Sequence, residues 1–175
     1  MKPPPGRRRA ATARRNRGLT LIECMVAIGI LAVLTSLAVP SFGQIMARQR
    51  LKAAAEGLAM DLAEMRFQAV RRGQPVHVHF DTGSAWCYAL SAAAGCDCRV
   101  EQSCQLKAVQ ASDHPGVELV DGQEAVFDPR QPLQPRVGHA QLRGADGAQL
   151  RVALGPLGRA TVCAPQAAVA GYPKC

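Results

Sequence analysis

"RGLTLIECMVAIGILAVLTSLAVPSF", residues 17–42, decides how the rest of the chain is read. It is an apolar run with a single carboxylate, Glu23, near its start. An acid at the centre of a membrane helix costs about 2.5–3.5 kcal/mol on insertion scales, so its presence needs a reason. At 1.5 Å per residue, 19–42 is long enough to cross a hydrocarbon core about 30 Å thick. Pro40 marks where such a helix would kink or end.

The segment before this run is strongly basic. Residues 1–18 contain Lys2, Arg7, Arg8, Arg9, Arg14, Arg15 and Arg17 and no acid. The chain's net charge is +8, yet without these seven the remainder holds 14 basic against 13 acidic residues. The bulk charge therefore belongs to a leader and weakens a general nucleic-acid reading. A basic leader ahead of an apolar run is a positive-inside signal. It predicts one pass through the inner membrane, with the N-terminus cytoplasmic and the rest periplasmic. The later cluster Arg48, Arg50 and Lys52 is smaller and does not reverse it.

Downstream, Leu51, Ala55, Leu58, Leu62, Met65 and Ala69 recur at spacings of three and four. Arg48, Lys52, Glu56, Asp61, Glu64, Gln68 and Arg71 are expected on the other side of an amphipathic helix. Gly73 and Pro75 stop it. A helix over 19–72 would be about 80 Å long, too long for a small domain to bury, which puts half of it in a membrane or among like helices. After Pro75 the period becomes two: Val76-His77-Val78-His79-Phe80, then the turn Asp81-Thr82-Gly83-Ser84 and a partner strand at 85–90. Further short strands are expected at 117–120, 125–127, 140–142, 149–154 and 159–163, the last two flanking a Gly155-Pro156-Leu157-Gly158 turn. Residues 91–116 and 128–138 read as irregular. The expected fold is α+β, a long N-terminal helix packed against a small antiparallel β-sheet domain. Its segments are a leader (1–18), a transmembrane part (19–42), an amphipathic half (43–73) and a C-terminal β domain (74–175).

Cys24 lies in the apolar run. Cys87, Cys96, Cys98, Cys104, Cys163 and Cys175 lie beyond it, a set that fits up to three disulfides in an oxidising compartment. Cys163 with Cys175 is the expected pair, because it would staple the C-terminus; a loop of that size stabilises by about 3 kcal/mol. Enzyme readings find little support. Cys-Asp-Cys at 96–98 lacks zinc-ligand spacing. His77 and His79 share a strand face, but their alternation with Val76, Val78 and Phe80 makes that the polar face. No nucleophile–His–acid spacing, phosphate loop or HExxH is present, and no metal or cofactor is expected.

Gly18-Leu19-Thr20-Leu21-Ile22-Glu23 resembles the class III signal of type IV prepilins and type II secretion pseudopilins. The resemblance implies that a prepilin peptidase cuts between Gly18 and Leu19 and methylates Leu19. Glu23 then becomes the fifth mature residue and Pro40 the twenty-second, both as in that family, while Leu19 stands where Phe is usual. It also gives the acid a reason. Exposed to lipid the carboxylate is costly, whereas paired with the N-terminal amine of a neighbouring subunit it sets register. The rival, a secretory signal peptide cut after Ser36-Leu37-Ala38, leaves Glu23 unexplained and divides the helix.

"RLKAAAEGLAMDLAEMRFQAVRRGQPVHVHF" (50–80) and "GPLGRATVCAP" (155–165) resemble the GspH/FimT group of minor pseudopilins and minor pilins. That resemblance implies a non-enzymatic subunit of a type II secretion pseudopilus or type IV pilus, acting in filament assembly and protein secretion. Its implied partners are prepilin peptidase and other pilin-like subunits, packed through 19–72. Some pilus members of this group bind DNA through a basic C-terminal region during natural transformation. Residues 130–175 carry Arg130, Arg136, Arg143, Arg151, Arg159 and Lys174 against Asp146 alone. The candidate DNA contacts are Arg143, Arg151 and Arg159. Thr161 stands where the family's DNA motif has a second Arg, and Tyr172 is the only aromatic in the region available for stacking. Solvated strand faces are the favoured reading.

Overall fold

The structure is a computed structural model. It describes residues 20–100, 105–130, 138–155, 158–166 and 169–175, without the side chains of residues 37, 38, 40 and 41. The chain divides into two units, Met1–Pro40 and Ser41–Cys175. One helix, α1 (Leu21–Arg72), contributes to both, and its backbone stays helical through Pro40. Gly73, with φ of 64°, ends it by taking the left-handed conformation that glycine adopts most readily.

In the second unit, eight strands follow: β1 (Val76–Asp81), β2 (Cys87–Ser91), β3 (Gln105–Gln110), β4 (Val117–Gln123), β5 (Ala125–Phe127), β6 (His139–Gly144), β7 (Gln149–Leu154) and β8 (Ala160–Cys163). They form two four-stranded antiparallel sheets, ordered β3-β2-β1-β5 and β4-β6-β7-β8. The single antiparallel domain read from the sequence is thus two sheets. The chain passes between them at Glu124, and Trp86 ties them by donating its indole N–H to the Val117 carbonyl at 2.7 Å.

The core is made by one stripe of α1 and the inner faces of both sheets. Leu51, Ala54, Ala55, Leu58, Leu62, Met65 and Ala69 join Val76, Val78, Tyr88, Leu90, Leu119, Phe127, Leu142, Leu150 and Val152 in a single apolar cluster. β1, β6 and β7 alternate buried and half-buried residues along their length, which is what a sheet with one face on the core requires. β2 departs from this: all five of its residues are buried. Cys98 of the following loop is bonded to Cys87 and covers Cys87 and Ala89 on the outer face.

Two expectations need correction. β3 falls within 91–116, which the sequence reads as irregular. It is an edge strand of mixed polar and apolar residues with only Val109 buried, so it lacks the sustained alternation that reveals a strand. Asp61, assigned to the solvent side, is buried at 6% exposure. Its carboxylate accepts hydrogen bonds from Tyr88 Oη at 2.7 Å and from Lys107 Nζ.

Candidate functional site

Gly18 and Leu19, the residues of the expected processing site, lie outside the described residues. Thr20 is the first described residue, and its Oγ1 accepts a hydrogen bond from the Glu23 backbone N–H at 3.3 Å. Thr20 therefore caps α1, with Glu23 three residues on. This is the Thr-x-x-Glu pattern of a capping box, and it places an acid in the first turn, where the helix dipole favours negative charge. The pattern is readable in the sequence but is overshadowed by the stronger apolar signal. Glu23 thus has a local structural effect besides any role between subunits.

All of 21–36 is exposed, including Leu21, Ile22, Met25, Ile28, Leu31 and Leu34. Its hydroxyls do not call for water. Thr35 donates to the carbonyls of Leu31 and Ala32, and Ser36 to that of Val33, which suits apolar surroundings. Among the described residues no helix is long and apolar enough to cross a membrane; the fully described part of the run, 21–36, is shorter than the roughly 20 residues a span needs.

Within the second unit, the charged residues of α1 hold loops. Arg48 Nε donates to Asp146 Oδ2 at 2.9 Å. Arg50 donates to the Pro115 carbonyl at 3.4 Å, and Lys52 Nζ to the Ala170 carbonyl at 2.7 Å. The Tyr172 hydroxyl donates to Glu56, and Lys52 sits over its ring. Burial, then the bond to Glu56 and its negative charge, push the Tyr172 hydroxyl up to about 12. Burial tends to raise the Asp146 carboxyl, but the Arg48 bond and the Ala148 N–H outweigh it and hold the group below the usual carboxylate value.

Of the cysteines, Cys163 is bonded to Cys175 and Cys87 to Cys98. Cys96 is also in a disulfide, Cys104 lies outside the described residues, and Cys24 is free and exposed. His77 and His79 stand on the half-buried face of β1, and His79 Nδ1 meets Glu124 at 2.6 Å. No cluster of three or more metal-ligating side chains occurs among the described residues.

The three candidate arginines do not come together. Arg143 and Arg151 alternate with buried residues and project from the outer face of the second sheet, as diagonal neighbours in the β6–β7 register. Arg143 Nη1 lies 3.7 Å from Glu118. Arg151 donates to Gln141 at 2.8 Å. Both Nε groups are covered and have no hydrogen-bond partner among the described residues. Arg159 instead lines a groove beside α1, with Ala59, Ala63 and Arg66.

A model of the type II transport protein GspH family matches residues 54–158, which takes in most of the second unit. The chain belongs to that family. A second model, the prokaryotic N-terminal methylation motif, matches residues 13–39. The type IV major pilin protein PilA of Myxococcus xanthus is 33% identical over 98 residues, covering 53% of this chain and 44% of that one. The chain thus matches less than half the length of that relative. The crystal structure of the type IV minor pilin FimU of Pseudomonas aeruginosa superposes with a TM-score of 0.52 at 14% identity, covering 69% of this chain and 96% of that one. It has the same fold, a helix packed on antiparallel sheets.

Proposed function

We propose that this GspH-family chain is a non-enzymatic minor pilin or pseudopilin subunit that helps build a type II secretion or type IV pilus filament and so serves protein secretion. The observation that carries the reading is the helix of 21–36. It is apolar and exposed on every residue, with Glu23 as its only charge, and lies within the match to the methylation motif. A surface of that kind is stable only in lipid or against other helices.

The chain is read as a leader (1–18) removed by prepilin peptidase between Gly18 and Leu19, with Leu19 methylated. Residues 19–42 span the inner membrane once, with the leader in the cytoplasm. The amphipathic half (43–73) and the β domain (74–175) are periplasmic, where Cys87–Cys98 and Cys163–Cys175 are at home. On assembly the Glu23 carboxylate meets the N-terminal amine of a neighbouring subunit, which removes the penalty it carries in lipid. The DNA-uptake alternative is the weaker one, because Arg143, Arg151 and Arg159 are divided between two surfaces.

N-terminal sequencing of membrane-derived protein tests this. The expected mature N-terminus is Leu19, and Gly18→Ala should block processing. A start at Val39 would mean a cleaved secretory signal and would sink the filament reading. Deletion that leaves both secretion and piliation intact would contradict the assembly role.

A further inference from the structure

The edge strands of the two sheets are β3, β5, β4 and β8, and all but β8 are guarded. β3 turns Lys107 inward to Asp61, and its Gln110 N–H is taken by Asp113 at 2.9 Å. β4 shifts register between Leu119 and Asp121, and its Leu119 carbonyl accepts the Gly83 N–H at 2.9 Å. β5 is three residues long. Inward charges, bulges and shortness are the usual protections of a sheet edge. β8, Ala160-Thr161-Val162-Cys163, carries no charge and no proline.

The β7–β8 hairpin shows which backbone groups of that edge are free. The Gly155 N–H donates to the Arg159 carbonyl at 2.9 Å. In the alternating antiparallel pattern Thr161 and Cys163 then bond to β7, whereas Ala160 and Val162 turn their N–H and C=O groups outward. Ala164, the next residue in the outward series, is met by the C-terminal segment. Its N–H donates to the Pro173 carbonyl at 2.8 Å, and its own carbonyl accepts the Cys175 N–H at 3.1 Å, in a parallel bridge to Lys174. The edge therefore already accepts one short stretch of added chain. Among the described residues nothing pairs with Ala160 and Val162.

The same C-terminal segment fills the space beside α1 at Lys52 and Glu56, through Ala170 and Tyr172. Past Glu56 that space is an open groove of about 540 Å³, lined by Ala59, Ala63, Arg66, Gly158, Arg159 and Ala160. Its small side chains leave room for a backbone, and no lining residue is acidic. Arg66 lies over the Phe127 ring. The Arg159 side chain is exposed and has no hydrogen-bond or ion-pair partner among the described residues. We propose that this groove takes an extended acidic segment of a partner protein, which adds a strand to β8 at Ala160 and Val162 and sets a carboxylate on Arg159. Strand addition at a free edge draws affinity from main-chain hydrogen bonds and specificity from the flanking side chains. About three extended residues reach all four outward groups. Charge selects the occupant. The β8 edge of a second copy would bring another basic rim, and residues 1–18 of the chain hold no acid. The site is independent of how the N-terminus is processed.

The test titrates the full-length chain, purified in detergent with disulfides intact, with the peptide acetyl-Ser-Val-Glu-Val-Ser-amide and follows backbone amides by NMR. Saturable binding is expected, with the Ala160 and Val162 amides shifted and newly protected from hydrogen exchange, while those of Thr161 and Cys163 are protected from the start. A peptide N-methylated at every residue should not bind. A peptide with Lys in place of Glu should bind about tenfold more weakly, and Arg159→Glu should reverse that preference. Ala63→Trp, which fills the groove, should abolish binding. The peptide variants leave the protein unchanged, so the result does not depend on how a substituted chain folds. Absence of saturable binding overturns the proposal, as do amide shifts that avoid Ala160 and Val162, or equal binding of the N-methylated or Lys peptide. Displacement of the peptide by a short DNA duplex also overturns it, since the rim would then be a phosphate site.

Discussion

The Tyr88 hydroxyl donates to Asp61 Oδ2 at 2.7 Å, so a carboxylate sits in the stripe of α1 that otherwise packs as hydrocarbon. Lys107 reaches the other oxygen of the same group from the edge strand β3. Burial and then the bond to Asp61 push the Tyr88 hydroxyl well above its ordinary value. The three groups fasten α1 to β2 and β3. Asp61→Ala leaves the Tyr88 hydroxyl buried without its acceptor, which should destabilise by about 1–3 kcal/mol. Lys107 is half exposed, so Lys107→Ala should lose no more than about 1 kcal/mol. Urea unfolding of the two variants checks the order. Equal losses would mean that the ion pair, not the Tyr88 bond, dominates.

Tyr172 reports on the C-terminal segment. Its folded pKa of about 12 lies above the ordinary 10.0. A raised pKa contributes stability that is fully present below pH 10 and is lost as pH rises through about 12. The phenolate absorbance of the folded protein should therefore show no step near 10. In Cys175→Ser the Cys163–Cys175 bond is gone, the segment loosens from Lys52 and Glu56, and one tyrosine should ionise near 10. The same variant should lose about 3 kcal/mol in the chain-entropy account of a short loop. An unchanged titration would show that the α1 contacts hold the segment without the disulfide.

Gly158 has φ of +69°, and an added Cβ would lie 3.2 Å from Phe127 Cε2 and 3.6 Å from Arg66 Cδ. Gly147 also has positive φ but open space around it. Gly147→Ala should therefore show only the backbone penalty, about 1–2 kcal/mol. Gly158→Ala adds the crowding of the β7–β8 turn against Phe127 and should lose more. Thermal unfolding of both variants in one buffer decides it, with a larger drop for Gly147→Ala as the contrary result.

Much of the fold is legible because its elements keep strict periods. The spacing of Leu51, Leu58, Leu62 and Met65 marks the buried stripe, and Val76, Val78 and Phe80 mark the inner face of β1. β3 is not legible, since an edge strand facing water on most sides needs no alternation. At Asp61 residue type misleads against position: Ala54, Leu58, Asp61 and Met65 are spaced by four, three and four, all on the core side. The exposed Met60, Phe67 and Val70 give no signal, because a sequence pattern locates the face that packs and says little of apolar residues on the other. Which arginines share a surface depends on strand register and on the turn before β8, and composition carries neither.

That register bears on the last prediction, that the mature protein does not retain DNA at physiological salt. Three arginines on one face would neutralise about three phosphates and give a log–log salt slope of roughly −2.7 on duplex DNA. Arg143 faces Glu118 at 3.7 Å, Arg151 is engaged by Gln141, and Arg159 stands beside α1. Among the described residues that leaves one of the three candidate guanidiniums free, which gives a slope of about −0.9 and no useful affinity. The unprocessed chain is different, because 1–18 adds seven basic residues and no acid. A gel shift should accordingly separate Gly18→Ala protein, which keeps the leader and binds in low salt, from mature protein, which does not bind. The assay is run with disulfides intact at two salt concentrations. A salt-sensitive shift of mature protein that Arg151→Ala removes would reverse the argument and put DNA uptake ahead of secretion.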